Sequence, residues 1–243
     1  INDGKIYPYM RTTKSKLGVR QYGKILPVVK WCGELGIKVH VHFEHPNMVI
    51  GNRDAEYLCF AVCQIFLEET NAVIIWEHGS DARCIPSWKK FSETFPCRFY
   101  VTLTAHHLAW NEDGAFGDVR RKCKPPIKTE FDRLQLVQLV CEDHDWVMAG
   151  GDDAAHPKGA KHVHEGKCAC GAATYHFLMQ LYAHALDRLL HTKKGVRIFN
   201  RFVSRNARKL HNLPPASHKV YLLREPFKIP LWYQVGPWKV EPP

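Results

Sequence analysis

Lys5, His42, His78 and Asp152 each follow or close a short apolar run that reads as a β-strand. Histidine and aspartate are natural metal ligands, whereas a lysine ammonium has no lone pair and becomes a ligand only after modification. Ligands gathered from the ends of several parallel strands are how an α/β barrel builds a metal site. Two metals held this way polarise a carbonyl and lower the pKa of bound water, which supplies a nucleophile at neutral pH. A carboxylate beside that water relays its proton. With fifteen histidines in the chain, chance pairs are common. His42 taken alone therefore reads as a structural residue, and its neighbouring motifs must decide.

The elements that would carry these residues alternate. Ile25–Leu35 reads as a helix with Pro27 in its first turn and Gly36 at its end. Ile37–His42 reads as a strand. Arg53–Thr70 reads as a helix capped by Asn52, with Leu58, Ala61, Val62, Ile65 and Phe66 at helical spacing. Ala72–Trp76, Arg98–Thr104 and Trp146–Ala149 read as strands. Thr129–Cys141, capped by Thr129, and Thr174–Leu190 read as helices. Alternation with wholly apolar strands implies a parallel sheet covered on both faces.

The 243 residues suit one large domain. No run approaches the ~18 consecutive apolar residues of a membrane span, and Asn2–Lys24 is too polar for a secretory signal. Nine cysteines at irregular spacings do not form a disulfide framework, so an intracellular setting is expected, in cytoplasm or an organelle matrix. Cys59 and Cys63 read as small buried hydrophobes. The net charge is +10, and Arg188–Arg224 holds ten Lys or Arg with no Asp or Glu. Such a field attracts polyanions. From Leu213 the chain carries seven of its fifteen prolines among Tyr221, Phe227, Trp232, Tyr233 and Trp238. This excludes a long helix and predicts an extended segment, 213–243, packed on a surface beside a domain at 1–212.

Local wording then supplies a family. Gly4-Lys5-Ile6-Tyr7-Pro8 with Thr12-Thr13 and Gly18-Val19, Val41-His42-Phe43-Glu44, and Ile74-Ile75-Trp76-Glu77-His78 follow one another in order. Thr102-Leu103-Thr104-Ala105-His106-His107-Leu108 with Asn111, Gly150-Gly151-Asp152-Asp153-Ala154-Ala155-His156, and Cys168-Ala169-Cys170-Gly171 continue the series, with Phe202, Ser204, Asn206, Leu213 and Pro214 after them. In order and spacing these segments resemble dihydroorotase, a cyclic amidohydrolase of the metal-dependent hydrolase superfamily. The resemblance implies a TIM (β/α)8 barrel, with this chain supplying roughly strands 4–8 and their helices. It implies two zinc ions bridged by a carboxylated Lys5. His42 and His78 would bind one of them, and Asp152 would bind the other and act as general base. His156 and the backbone near Gly171 would contact a substrate carboxylate. The implied reaction is the reversible cyclisation of N-carbamoyl-L-aspartate to dihydroorotate, in pyrimidine synthesis. Cys168 and Cys170 beside His164 could suggest a structural zinc, but the family's substrate loop accounts for them.

The chain departs from the family pattern in two ways. It contains no counterpart of the opening His-x-His strand or of the arginine and asparagine that bind substrate, and His40-Val41-His42 lies on the next ligand strand. The expectation is a further segment or chain that supplies the first strands, since a barrel does not close without them. The second departure is the basic run. Arg197, Arg201, Arg205 and Arg208 would share one face of a helix and could grip phosphate, as on RNA or another acidic partner. The alternative expectation is thus a non-catalytic homologue in a larger oligomeric assembly, such as an organellar ribonucleoprotein. A related cyclic amidohydrolase with another substrate is a third.

Overall fold

The strands Asp3–Ile6 and Lys38–Val41 alternate apolar and polar residues, whereas Ile74–Trp76 and Val147–Ala149 are wholly apolar, so the sheet's two faces differ most at the first two strands. The computed structural model describes residues 3–243. Strands β1 (Asp3–Ile6), β2 (Lys38–Val41), β3 (Ile74–Trp76), β4 (Phe99–Leu103) and β5 (Val147–Ala149) form one parallel sheet in sequential order. Parallel neighbours require a crossover. Here α1 (Leu26–Glu34), α2 (Phe60–Glu69) and α3 (Ile85–Thr94) make the first three. Short α4 (Ala105–Ala109) and α5 (Glu112–Ala115) precede α6 (Glu130–Cys141) in the fourth. After β5 come α7 (Lys158–Lys161), α8 (Leu178–Ala185), α9 (Lys193–Asn200) and α10 (Asn206–Leu210).

Successive strand residues face opposite ways, and residues in register face the same way. Val39, Val41, Ile74, Trp76, Phe99, Val101 and Val147 join the apolar core with Val29, Phe66, Trp88, Phe91, Leu136 and Phe202 of the helical layer. The opposite face carries Lys5, His40, Ile75 and Tyr100 in one row. It is the inner face of a curved sheet, and it is polar at β1 and β2.

The helix boundaries shift for tertiary reasons. α2 begins at Phe60 rather than Arg53, because residues just before it are drawn into long-range bonds. Arg53 reaches Asp132 at 2.5 Å, and the Glu56 carboxylate accepts from Ser80 N (2.9 Å), Ser80 Oγ (2.5 Å) and Lys128 Nζ (2.8 Å). Asn52 is not the cap; its side chain accepts from Lys124. Thr129 does cap α6, in a capping box with Asp132. The Thr174–Leu190 span is broken into 3-10 turns around α8. α3 was not anticipated, because Ile85, Trp88 and Phe91 are too few to set a clear period. Residues 201–205 form a π turn between α9 and α10, so the basic run is helical.

The segment from Leu213 has no regular element until a hairpin, β6 (Tyr233–Val235) and β7 (Trp238–Val240), turns at Gly236. Its end docks on the chain itself: Glu241 pairs with Lys158 (2.8 Å) and His162 (2.6 Å), and Tyr233 stacks on His176. All nine cysteines are free, with Cys59 and Cys63 buried in the core. No helix among the described residues is long and apolar enough to cross a membrane.

Candidate active site

Lys5 lies near the end of β1, His42 follows β2, His78 follows β3 and Asp152 follows β5. All four thus gather at the C-terminal rim of the sheet, the rim where α/β barrels build sites. Two of them hold left-handed backbone, His78 at φ 44° and Asp152 at φ 40°. Such a conformation is uncommon away from glycine and is retained only where the surroundings impose it. At His78 the imposing contacts are visible. Its N–H donates to Thr102 Oγ1 at 2.7 Å, and the next N–H, of Gly79, donates to the Thr102 carbonyl at 2.8 Å. A side chain at Gly79 would meet Trp88 at 2.5 Å, so the turn runs against that ring.

The imidazoles of His42 and His78 are each about 1% exposed, with ring centroids 4.5 Å apart. Nδ1 of His78 is buried without a hydrogen-bond partner among the described residues. Burial, then the nearby His42 and Lys5, push the His78 pKa well down, so the ring is neutral and its lone pair is available. His42 bonds through Nε2 to Glu44 Oε2 at 2.7 Å. A carboxylate on one nitrogen of a histidine orients the other toward a metal. An orphaned nitrogen beside a carboxylate-held imidazole therefore fits a zinc ligand pair.

Lys5 and Asp152 both keep exposed surface, yet protein crowds their charged groups. Loss of hydration lowers the Lys5 pKa, against the pull of Glu77 and Asp152. Loss of hydration also raises the Asp152 carboxyl to about 7, with Lys5 opposing and Glu77 and Asp153 adding to the rise. A carboxyl that titrates near neutrality can both take and return a proton. His42, His78 and Asp152 do not form one tight triad. Among the described residues, the trios with ligand atoms within 4.8 Å of one another are His106–His107–Cys123 and Asp3–His40–His211. A two-ion arrangement, with the histidine pair and the aspartate on separate ions, does not require such a triad.

The loop after Asp152 folds back on itself, with Asp153 bridged to Ala172. His156 Nε2 bonds to the Cys170 carbonyl at 3.0 Å, and the Gly171 N–H donates to the Lys122 carbonyl at 2.8 Å. Both residues expected to touch substrate thus hold the loop through these atoms. Sequence reasoning missed Lys161, a buried ammonium that donates to the carbonyls of Lys122 (3.1 Å), Ala169 (3.0 Å) and Gly171 (2.8 Å). It also gave no role to Glu44 or Glu77, although each sits within two residues of a proposed ligand. Gly171 has φ 149°, and an added Cβ would lie 2.3 Å from the Ala154 carbonyl oxygen. Gly171→Ala is expected to destabilise this loop by about 1–3 kcal/mol. The check is faster limited proteolysis between residues 150 and 174, with little change in global melting.

Of the four arginines singled out, Arg201 pairs with Asp143 at 2.8 Å and Arg208 donates to the Pro214 carbonyl at 2.5 Å. Arg197 and Arg205 are exposed, and neither forms an ion pair among the described residues.

No family model matches the chain. The curated dihydroorotase of Helicobacter pylori is 32% identical over 235 residues, covering 93% of this chain and 65% of that protein. That of Nitrosomonas europaea is 26% identical over 244 residues, covering 98% and 67%. The chain therefore spans just under two thirds of the length of the first of these relatives. Among solved structures, dihydroorotase from Saccharomyces cerevisiae in complex with 5-fluoroorotic acid superposes with TM-score 0.90 at 23% identity, over 100% of this chain and 70% of that one. A D-hydantoinase from Thermus sp. superposes with TM-score 0.72 at 18% identity, over 88% and 51%. The sheet and its crossovers thus have the fold of part of a TIM (β/α)8 barrel.

Proposed function

We propose, from the similarity of the chain to dihydroorotases, that it carries the metal-binding half of a site that interconverts N-carbamoyl-L-aspartate and dihydroorotate. The observation that carries this reading is the convergence of Lys5, His42, His78 and Asp152 on one rim, with His78 Nδ1 buried and unpartnered.

In the ring-opening direction, water adds to the ring carbonyl carbon, the C–N bond breaks and the departing nitrogen gains a proton. Zinc bound at the rim would supply Lewis-acid polarisation of the carbonyl and a water acidic enough to attack. His42 and His78 would hold one ion, with Glu44 fixing the His42 ring. Lys5, once its neutral amine has added carbon dioxide and lost a proton, would help hold the metal as a carbamate. Asp152 would accept the proton of the attacking water and return it to the nitrogen. His156 and the loop at Gly171 would face the substrate carboxylate after the loop bonds described above rearrange.

The test is to purify the protein from its native source and measure zinc content and carbamoyl-aspartate cyclisation, with Asp152→Ala as control. Activity is expected in the native preparation and is expected to be lost in the variant. Copurification of a polypeptide bearing a His-x-His strand would identify the source of the remaining ligands. Turnover of a hydantoin ring instead would move the assignment to a related cyclic amidohydrolase. A pure, metal-free and inactive chain would sink the enzyme reading. It would favour a structural subunit, for which the exposed Arg197 and Arg205 and the exposed Tyr221, Trp232 and Trp238 are the supporting features. RNA binding that weakens steeply with salt is the signature of that second reading.

A further inference from the structure

A second ligand cluster lies on the inner face of the sheet, one strand layer below the rim. Asp3 of β1, His40 of β2 and His211, just beyond α10, bring Oδ1, Nε2 and Nδ1 within 4.8 Å of one another. His40 Nε2 is 3.3 Å from Asp3 Oδ1, and His211 Nδ1 is 3.5 Å from the same oxygen. The two imidazoles stack at 6.0 Å with an interplanar angle of 14°. Two donors at zinc bond lengths of about 2.0–2.1 Å and a tetrahedral angle are separated by about 3.3–3.4 Å. The two separations from Asp3 Oδ1, 3.3 and 3.5 Å, lie close to that value.

A second observation points the same way. The other ring nitrogen of His40, Nδ1, bonds to the Glu77 carboxylate. A carboxylate on the far nitrogen is the usual support of a metal-binding histidine, because it fixes the tautomer and aims the lone pair. The three donors come from separate parts of the chain. The π turn at 201–205 inserts a residue before α10 and so sets which face of that helix, and hence which side of its end, meets the sheet. Lys38, in register with Asp3, is the nearby cation; Asp3 and Glu77 supply the opposing negative charge.

We propose that Asp3, His40 and His211 form a further transition-metal site, with Glu77 as the orienting group, which takes zinc and pins the end of the C-terminal helix to the inner face of the sheet. Two imidazoles and one carboxylate favour zinc over calcium or magnesium, which prefer all-oxygen shells. The inference uses none of the four rim residues and does not depend on the proposed reaction.

The experiment titrates chelator-stripped native protein with Zn2+ against a chromophoric chelator and follows thermal unfolding at each zinc level. His211→Ala and Asp3→Asn are each expected to bind one zinc fewer than wild type and to lose part of the zinc-induced rise in melting temperature. Asp152→Ala alters only the rim, and is expected to keep the zinc held by Asp3, His40 and His211 and the part of the melting rise that this site supplies. His211 and Asp3 are partly exposed, at 25% and 37% of their side chains, so both variants should keep the fold, which far-UV circular dichroism checks. Wild-type zinc stoichiometry in both folded variants would overturn the proposal, as would an Asp152→Ala protein that binds no zinc.

Discussion

Lys5→Arg is expected to be as inactive as Lys5→Ala, with cyclisation falling by about a thousandfold or more in each. Lewis-acid polarisation supplies several kcal/mol of transition-state stabilisation, which sets that scale. Arginine keeps the positive charge that faces Glu77 and Asp152 but cannot add carbon dioxide, because its guanidinium stays protonated. Carbamate formation joins the neutral amine nitrogen to the carbon of CO2 and releases a proton. Burial, which lowers the Lys5 pKa, enlarges the neutral fraction that can react. Loading should therefore rise with pH and with added bicarbonate, and intact-mass measurement under native conditions would register the added carboxyl group. Near-normal turnover by Lys5→Arg would show that its positive charge is all that Lys5 contributes. The carbamate would then be discarded.

Acid is expected to unfold the protein more steeply than its surface carboxylates alone would cause. His78, His106 and His107 are buried and all have lowered pKa values, with desolvation the first cause in each. His106 falls to about 3, and neither of its ring nitrogens has a partner among the described residues. The sign follows from proton linkage. Below pH ~6.5 the unfolded chain protonates this imidazole and the native chain does not, so stability is lost as pH falls from there toward 3. At 1.36 kcal/mol per unit, His106 alone contributes roughly 4–5 kcal/mol to that loss by pH 3. Asp152 runs the other way, because a carboxyl raised to about 7 favours the folded state as pH falls below it. Solvent access to Asp152 keeps its opposing effect smaller. His106→Leu removes the titration and two orphaned nitrogens, each of which costs about 1–3 kcal/mol when buried unpaired. Denaturant midpoints at pH 7, 5.5 and 4.5 should drop sharply for wild type and much less for the variant. Parallel curves would rule out His106 as the source.

The elements that position the rim residues were legible because wholly apolar strands and 3.6-residue spacing reflect burial directly. Ile74–Trp76 can only be a covered strand, and Thr129 announces α6 through a cap that needs no tertiary partner. The start of α2 was not legible, since Arg53 and Glu56 have sound helical propensity and leave the helix only to meet Asp132, Ser80 and Lys128, far along the chain. The same limit applies to chemistry. The sequence by itself determined which side chains end the strands, and with them the ligand types at Lys5, His42, His78 and Asp152. Only the tertiary structure decided that Glu44 orients His42, that Lys161 ties the substrate-side loop, and that His211 comes back to Asp3 and His40. Strand-end placement follows from local periodicity, whereas these partners lie on opposite turns of a strand end or many residues apart. Burial and register, which no local pattern encodes, bring them together.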